Sequence, residues 1–151
     1  MHDDETLLKN LAREELHLAS INKRAIAMFI DEILVSLLFF FMISDKLSTL
    51  GTPEAVVAYT QSLMLYVLIV KILYQALFVA LYGATLGKMA MKIKVVDHDY
   101  FDIPSWRASI IRSVMRVVSE ILFYFGFIVA FFSPLRRTWH DKFAKTLVVD
   151  A

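Results

Sequence analysis

The chain has 151 residues, of which 58% are apolar and 21% are charged, and it carries 16 basic and 15 acidic residues. The resulting net charge of +1 excludes a strongly basic nucleic-acid-binding protein, and the absence of cysteine excludes disulfide bonds and thiolate zinc sites. Soluble domains contain roughly 45–50% apolar residues. The excess here lies in long apolar blocks, which indicates a membrane protein.

The first 22 residues are charged and favour a helix. Acidic residues at positions 3 to 5 suit a first helical turn, because they oppose the positive end of the helix dipole. The apolar residues that would fall near one face are Leu7, Leu11, Leu18 and Ile21. We predict a cytoplasmic amphipathic helix over residues 1–22, resting on the membrane surface or docked on a partner protein. Residues 23–151 would form the membrane domain.

Two apolar blocks are long enough to cross a bilayer. Residues 25–43 would form a helix about 28 Å long, close to the thickness of the hydrocarbon core. Residues 56–82 form a longer block that contains one charge, Lys71, and Thr52 and Pro53 before it are typical of a helix start. We predict one spanning helix in each block.

The third apolar block, residues 110–132, follows a helix start near Ser105. Arg112, Arg116 and Glu120 recur every fourth residue in its first half and therefore share one helical stripe. Its uncharged second half, about 12 residues long, is too short to span a bilayer. Two interpretations stay open: a re-entrant helical hairpin bent near Gly126, or a third span.

Two short segments and the basic residues bear on topology. Residues 91–97 and 145–150 are β-branched and would satisfy their backbones by pairing, which requires both to lie on one side of the membrane. Basic residues, which mark the cytoplasmic side, flank the apolar blocks, whereas the first connection contains only Lys46. We therefore favour the hairpin, with the N-terminus and the C-terminus both in the cytoplasm.

Charged residues inside the apolar blocks are the strongest functional signal. Each would cost at least about 2.5–3.5 kcal/mol at mid-membrane, so each requires a partner or a use. The six are Asp31, Glu32, Lys71, Arg112, Arg116 and Glu120, and Arg24 lies two helical turns before Asp31. We predict a polar seam between helices in which Asp31 and Glu32 lie near Arg112 and Arg116. The seam is either a set of structural ion pairs or an ion-handling site at Asp31 or Glu32.

No catalytic, cofactor-binding or metal-binding motif is present in the sequence. The segment at residues 83–89 is one residue short of the phosphate-binding G-x-x-x-x-G-K pattern, and Met89 replaces the required Ser or Thr. The four histidines lack metal-ligand spacing and are expected on the surface or in loops; His140 beside Asp141 would form a hydrogen-bonded cluster at the membrane interface. We predict a protein that is not an enzyme and needs no cofactor.

Four motifs follow one another along the chain: Arg24 and Asp31 in the first apolar block, G-x-T-x-G-K at residues 83–88, KIKVVD at residues 92–97, and His140 with Asp141 near the C-terminal end. Together they resemble the RDD family of bacterial membrane proteins. The family is named for an arginine and an aspartate of the first helix and a second aspartate near the C-terminal end. The matching motif positions here are Arg24, Asp31, Gly83, Thr85, Gly87, Lys88, His140 and Asp141. The resemblance covers residues 23–149, although the turn after Asp97 lacks the glycine that is usual in the family.

The resemblance implies a bacterial cytoplasmic (inner) membrane location and suggests transport of an unidentified ligand. Some relatives are described as sodium/proton antiporters, and others accompany membrane proteins such as peptidases. Two spans and a re-entrant segment hardly enclose a water-filled route alone. We therefore expect an accessory or regulatory subunit bound to a larger membrane-protein partner. The alternative is a homo-oligomeric cation/proton antiporter that uses Asp31, with Glu32 assisting and Arg112 or Arg116 setting its pKa.

Overall fold

The computed structural model describes residues 2–151, which form eight helices and two strands. The elements in order are α1 (His2–Arg13), α2 (Ile21–Thr49), α3 (Pro53–Ser62), α4 (Met64–Tyr82), α5 (Leu86–Ala90), β1 (Ile93–Asp97), α6 (Trp106–Ile121), α7 (Phe125–Phe132), α8 (Trp139–Phe143) and β2 (Thr146–Asp150). The predicted class, a helical membrane protein with a small sheet, is confirmed.

Two helices, α2 and α4, are long and apolar enough to cross a membrane. α2 begins after Ser20, whose hydroxyl accepts a hydrogen bond from the N–H of Lys23 at 3.2 Å. α4 ends at Tyr82, and Gly83 caps it with a left-handed backbone (φ 68°), which costs glycine little because it has no Cβ. Only 17% of the most apolar stretch of each helix is buried inside the protein, which leaves most of its surface for lipid or other helices.

The sequence analysis predicted one helix in the second apolar block, but the structure has two, α3 and α4. Thr52 does cap the first of them, α3, and Pro53 opens it; the Thr52 hydroxyl accepts from the N–H of Ala55 at 3.2 Å. At Leu63 the backbone N–H bonds to the carbonyl of Thr60 instead of continuing the α-helical pattern, and this separates α3 from α4. The spanning helix is therefore α4 alone.

The third apolar block consists of α6 and α7, which meet at a bend of 106°. Ser105 caps the start of α6, as predicted. Phe123 and Tyr124 form the bend with φ values of 53° and 62°, so the chain turns before Gly126 rather than at it. Gly126 instead permits close packing of α7 on α6, since a Cβ there would lie 2.1 Å from the Ser119 hydroxyl oxygen.

The predicted strand pairing is present and fixes the path of the bent pair. β1 and β2 are antiparallel, with Val95 opposite Val148, and Leu18 before α2 forms a bridge with Val149. The chain before α2, the chain after α4 and the chain after α8 thus meet at one end of the molecule. Because β1 and β2 pair, the segment that contains α6 and α7 begins and ends at the same end of the molecule.

α1 is amphipathic, as predicted, but it ends at Arg13 instead of reaching residue 22. Leu7 and Leu11 on its apolar face are buried in a core cluster of the protein itself. The other buried members of that cluster are Val96, Leu135, Leu147 and Val149. The apolar face therefore packs beside the sheet, and the predicted contact of this helix with the membrane surface or a partner protein stays a prediction. The division of the chain at residue 22 stays a prediction.

Candidate functional site

Ten ionisable side chains gather between α2, α4, α5, α6 and α8, towards the sheet. They are Arg24, Asp31, Glu32, Lys71, Lys88, Arg112, Arg116, Glu120, His140 and Asp141, and we call them the buried charge cluster. Most are buried and the rest are half-buried. Because a buried charge is costly unless it is paired and hydrogen-bonded, the partners of each group indicate its role.

Asp31 is 1% exposed and accepts hydrogen bonds on both carboxylate oxygens. The hydroxyls of Tyr74 and Thr85 donate to it at 2.8 and 2.6 Å, and the backbone N–H of Gly87 donates at 2.8 Å. The guanidinium of Arg116 lies 4.0 Å away. Groups from α4, α5 and α6 therefore hold this carboxylate of α2 in one position.

The G-x-T-x-G-K motif forms the wall beside Asp31. Thr85 is the residue before α5, and Gly87 is the second residue of that five-residue helix. A Cβ on Gly87 would lie 2.1 Å from the carbonyl oxygen of Ala27 and 2.8 Å from the Asp31 carboxylate, so only glycine allows α5 to approach α2 this closely. Sequence spacing gave no sign of this contact, because the motif and Asp31 lie more than 50 residues apart.

Asp141 is fully buried between two arginines, Arg24 of α2 and Arg112 of α6, each of which donates to one carboxylate oxygen. The N–H and the hydroxyl of Thr138 also donate to it, at 3.0 and 2.8 Å. The Asp141 N–H donates in return to the Thr138 hydroxyl oxygen at 3.4 Å, and this completes a capping box that starts α8. Burial alone would raise the pKa of the Asp141 carboxyl, but Arg112 and Arg24 hold that pKa well below its usual range.

Lys71 and Arg116 share two carboxylates. Lys71 of α4 contacts Glu32 of α2 at 2.9 Å and also contacts Glu120 of α6. Arg116 approaches the same two carboxylates at 3.3 and 3.2 Å. These two cations and two anions link three helices in a ring of ion pairs.

All six residues of the predicted seam lie in the buried charge cluster, but Arg112 has a different partner from the one predicted. Arg116 lies near Asp31 and Glu32, as predicted, whereas Arg112 contacts Asp141 instead. The reason is the geometry of α6. Arg112 lies one helical turn closer to the start of that helix, where α6 packs against α8.

Lys88 differs from the other cations of the cluster. It is 7% exposed, and its ammonium group donates to the Thr85 hydroxyl at 3.3 Å. No carboxylate in residues 2–151 lies within ion-pair distance of it. Burial lowers the pKa of Lys88 well below its usual range, and the nearby charges of Arg112 and Arg116 lower this pKa further.

His140 is also buried, contrary to the surface or interfacial position expected from the sequence. Its Nε2 lies 3.8 Å from the Asp141 carboxylate, and its Nδ1 has no hydrogen-bond partner among the described residues. Burial lowers the pKa of the imidazole well below its usual range, because the charge of Asp141 opposes that effect only in part. Phe127 packs edge-on against the ring.

A cavity of about 130 Å³ opens beside Lys88 and His140, between the start of α2 and helices α6, α7 and α8. Its apolar wall includes Met28, Phe127 and Phe131. Its polar lining residues are Arg24, Lys88, Arg112, Arg116, Thr138 and His140. Within the part of the chain that the structure describes, no carboxylate lines it.

Thr138 is the clearest residue that the sequence analysis missed. Thr138 and Asp141 stand three residues apart, the spacing of a capping box, and this spacing indicates a helix start at Trp139. The same box orients Asp141 toward Arg24 and Arg112. This capping box would have predicted that Asp141 lies in the first turn of a helix, and not in a loop at the membrane interface.

One further group of potential metal ligands lies outside the cluster. Side-chain ligand atoms of Asp97, His98 and Asp99 lie within 4.8 Å of one another at the end of β1. Asp97 accepts hydrogen bonds there from the N–H of Asp99 at 2.8 Å and of Tyr100 at 3.4 Å. These contacts are those of a polar turn, and exposed acidic groups of this kind are common without a metal.

Comparison with known proteins agrees with these motifs. The chain matches the RDD family over residues 18–145, a range that includes Arg24, Asp31 and Asp141. It is also 34% identical over 121 residues to the uncharacterized membrane protein YteJ of Bacillus subtilis (strain 168). These aligned residues make up 80% of this chain and 68% of that protein. No solved structure gives a significant match. The chain therefore belongs to the RDD family.

Proposed function

We propose that this membrane protein is a non-enzymatic accessory or regulatory subunit that binds a larger membrane-protein partner. The observation that supports this role most strongly is the exposed surface of the two spans. α2 packs chiefly on α5, and α4 packs chiefly on α6. In the described residues, α2 has no buried residue after Val35, so its second half is free to contact other helices.

Helix association in a membrane depends on packing and on polar contacts rather than on hydrophobic burial, because lipid is already apolar. The second half of α2 offers large side chains for packing: Phe40, Phe41 and Met42 are all exposed, Phe41 by 71%. This surface is the contact that we assign to the partner.

The alternative, a homo-oligomeric cation/proton antiporter, has one observation in its favour: a carboxylate buried in a spanning helix. A carrier carboxylate must exchange its proton or cation during each cycle. Asp31 would have to release Tyr74, Thr85 and Gly87 together to do so, since all three donate to it. This fully occupied geometry favours the accessory role.

We place the protein in the bacterial inner membrane with both termini and the sheet in the cytoplasm. The excess of Lys and Arg at the end of the molecule that carries the sheet supports this orientation. Single cysteines at Leu8, Thr49, Lys94 and Ala151 in this cysteine-free chain test it. Only the cysteine at position 49 should react with an impermeant reagent added from outside, and labelling of position 151 would contradict the orientation.

Photo-cross-linking in native membranes tests the accessory role. A photoreactive phenylalanine analogue at Phe41 should give a discrete adduct with a different membrane polypeptide. The matched control is the same analogue at Phe132 on α7, which is 83% exposed and should give no such adduct.

An adduct at Phe41 with a second copy of this chain, together with ion flux in proteoliposomes that Asp31→Asn abolishes, would favour the antiporter instead. Flux that survives Asp31→Asn would remove Asp31 as the carrier. Absence of both adduct and flux would contradict the accessory role.

A further inference from the structure

The cavity beside Lys88 has an unbalanced lining. Its polar lining includes Arg24, Lys88, Arg112 and Arg116, and no carboxylate lines it in the described residues. The three arginines pair with Asp141 or Glu32, neither of which lines the cavity. Across the whole buried charge cluster, five cations face four carboxylates. Lys88 is the cation of this cluster that has no ion-pair partner among the described residues.

The same cavity contains polar groups whose hydrogen-bonding capacity is unused. Lys88 has three N–H donors, and Thr85 is the acceptor that the structure gives it. The Nδ1 atom of His140 has no partner within residues 2–151. Buried polar groups are nearly always satisfied, so the unpartnered Nδ1 of His140 beside the singly bonded ammonium of Lys88 requires an explanation. An oxyanion would accept hydrogen bonds from both.

The size and position of the cavity fit an anion that carries an apolar body. A water molecule needs roughly 10–15 Å³ on the same measure, so a cavity of about 130 Å³ has room for an oxyanion. One wall is the apolar helix α7, and Phe131 on it is largely exposed and would face lipid. An anion bound in this cavity would therefore contact both the buried cations and the apolar side chains of α7.

We propose that this cavity is a binding site for a phosphate-type oxyanion, with Lys88 as its principal counter-ion and His140 as a second hydrogen-bonding group. An anionic phospholipid headgroup and free phosphate share this chemistry, and the apolar wall favours the lipid. The site does not depend on the accessory role. The lowered pKa of Lys88 is the direction expected of a cation that lacks its counter-ion.

The test uses the purified full chain in mild detergent. Native mass spectrometry should show that the protein retains phosphatidylglycerol about tenfold better than phosphatidylcholine, because a charge-assisted contact to a buried cation corresponds to roughly a tenfold change in affinity. Lys88→Met should remove this preference. Lys142→Met, which removes an exposed lysine of α8, is the matched control and should retain it.

Thermal unfolding gives a second readout and separates the two sources of the anion. Without added anion, Lys88→Met should unfold at a higher temperature than the wild type, because it removes an uncompensated buried charge. Phosphatidylglycerol should raise the unfolding temperature of the wild type only. The same protection from inorganic phosphate, without a preference for phosphatidylglycerol, would identify free phosphate as the source.

Equal retention of both lipids together with equal responses of the wild type and Lys88→Met to both anions would overturn the proposal. Loss of the preference in Lys142→Met as well would also overturn it, since that result indicates diffuse surface attraction. A photoactivatable phosphatidylglycerol requires no variant. It should label Phe127 or Phe131 in the wild type, whereas labelling confined to the second half of α2 would contradict the site.

Discussion

The two halves of α2 lie in different surroundings. In the first half, Asp31 and Ala27 are buried against α5, and the carboxylate of Asp31 receives donors from two other helices. In the second half, after Val35, no described residue is buried. One continuous helix is therefore held by polar and close-packed contacts in its first half, whereas its second half is exposed. Substitutions at matched positions in the two halves should have very different effects.

The largest expected effect is at the buried aspartate of α8. Asp141→Asn would leave Arg24 and Arg112 without their shared anion, and breaking a buried ion pair costs about 3–5 kcal/mol. Asp45→Asn at the exposed end of α2 is the control and should change stability by less than about 0.5 kcal/mol. Unfolding in detergent measures both. Similar losses in the two variants would contradict the distinction between the two ends.

The next effect is steric. Gly87→Ala would place a Cβ against the backbone of Ala27 and the Asp31 carboxylate, and we expect a loss of about 1–3 kcal/mol from overpacking. Gly51→Ala tests the same substitution at the opposite end of α2, where a Cβ would have no atom within 4 Å. That variant should be neutral or slightly stabilised. A neutral Gly87→Ala would show that α5 does not pack on α2 as described.

A smaller effect concerns pH. Burial lowers the pKa of His140, so the folded state keeps this imidazole neutral while the unfolded state takes up a proton below about pH 6.5. Stability should therefore fall as the pH falls through that value, by at most about 1.4 kcal/mol per pH unit from this group. His140→Gln should weaken the pH dependence of unfolding between pH 7.5 and 5.5. An unchanged profile would contradict the neutral, buried imidazole.

The smallest effect is expected on the exposed half of α2. Phe41→Leu leaves an apolar side chain facing detergent, and stability should change by less than about 0.5 kcal/mol. The same substitution should nevertheless reduce cross-linking from neighbouring positions if the partner packs there. A large loss of stability in the isolated protein would mean that Phe41 is held by contacts within the chain.

Much of the fold follows from local sequence signals. Apolar length predicts α2 and α4, Ser105 and Thr52 mark helix starts, and the β-branched segments predict the strand pair. The bend in the third apolar block was predicted near Gly126 and lies just before it, at Phe123 and Tyr124. The break at Leu63 was not predictable in the same way, because no glycine or proline marks that position.

The partners in the candidate site were harder to predict than its members. Four-residue spacing places Arg112 and Arg116 on one face of α6. It does not show that Arg112 meets Asp141 of α8 while Arg116 meets Glu32 of α2. The contact between Asp31 and Gly87 depends on how α5 folds back on α2, which no local pattern records. The T-x-x-D capping box was the local signal that remained unused.

A double-mutant cycle between Arg112 and Asp141 tests most directly whether ion pairs hold the helices of this protein together. Arg112→Gln and Asp141→Asn should each cost about 3–5 kcal/mol, since each leaves a charge of the cluster without its partner. The double variant should cost less than the sum of the two by about 2 kcal/mol, within the range seen for coupled residues. Losses that simply add would show that the two residues act independently and would contradict the ion-pair core.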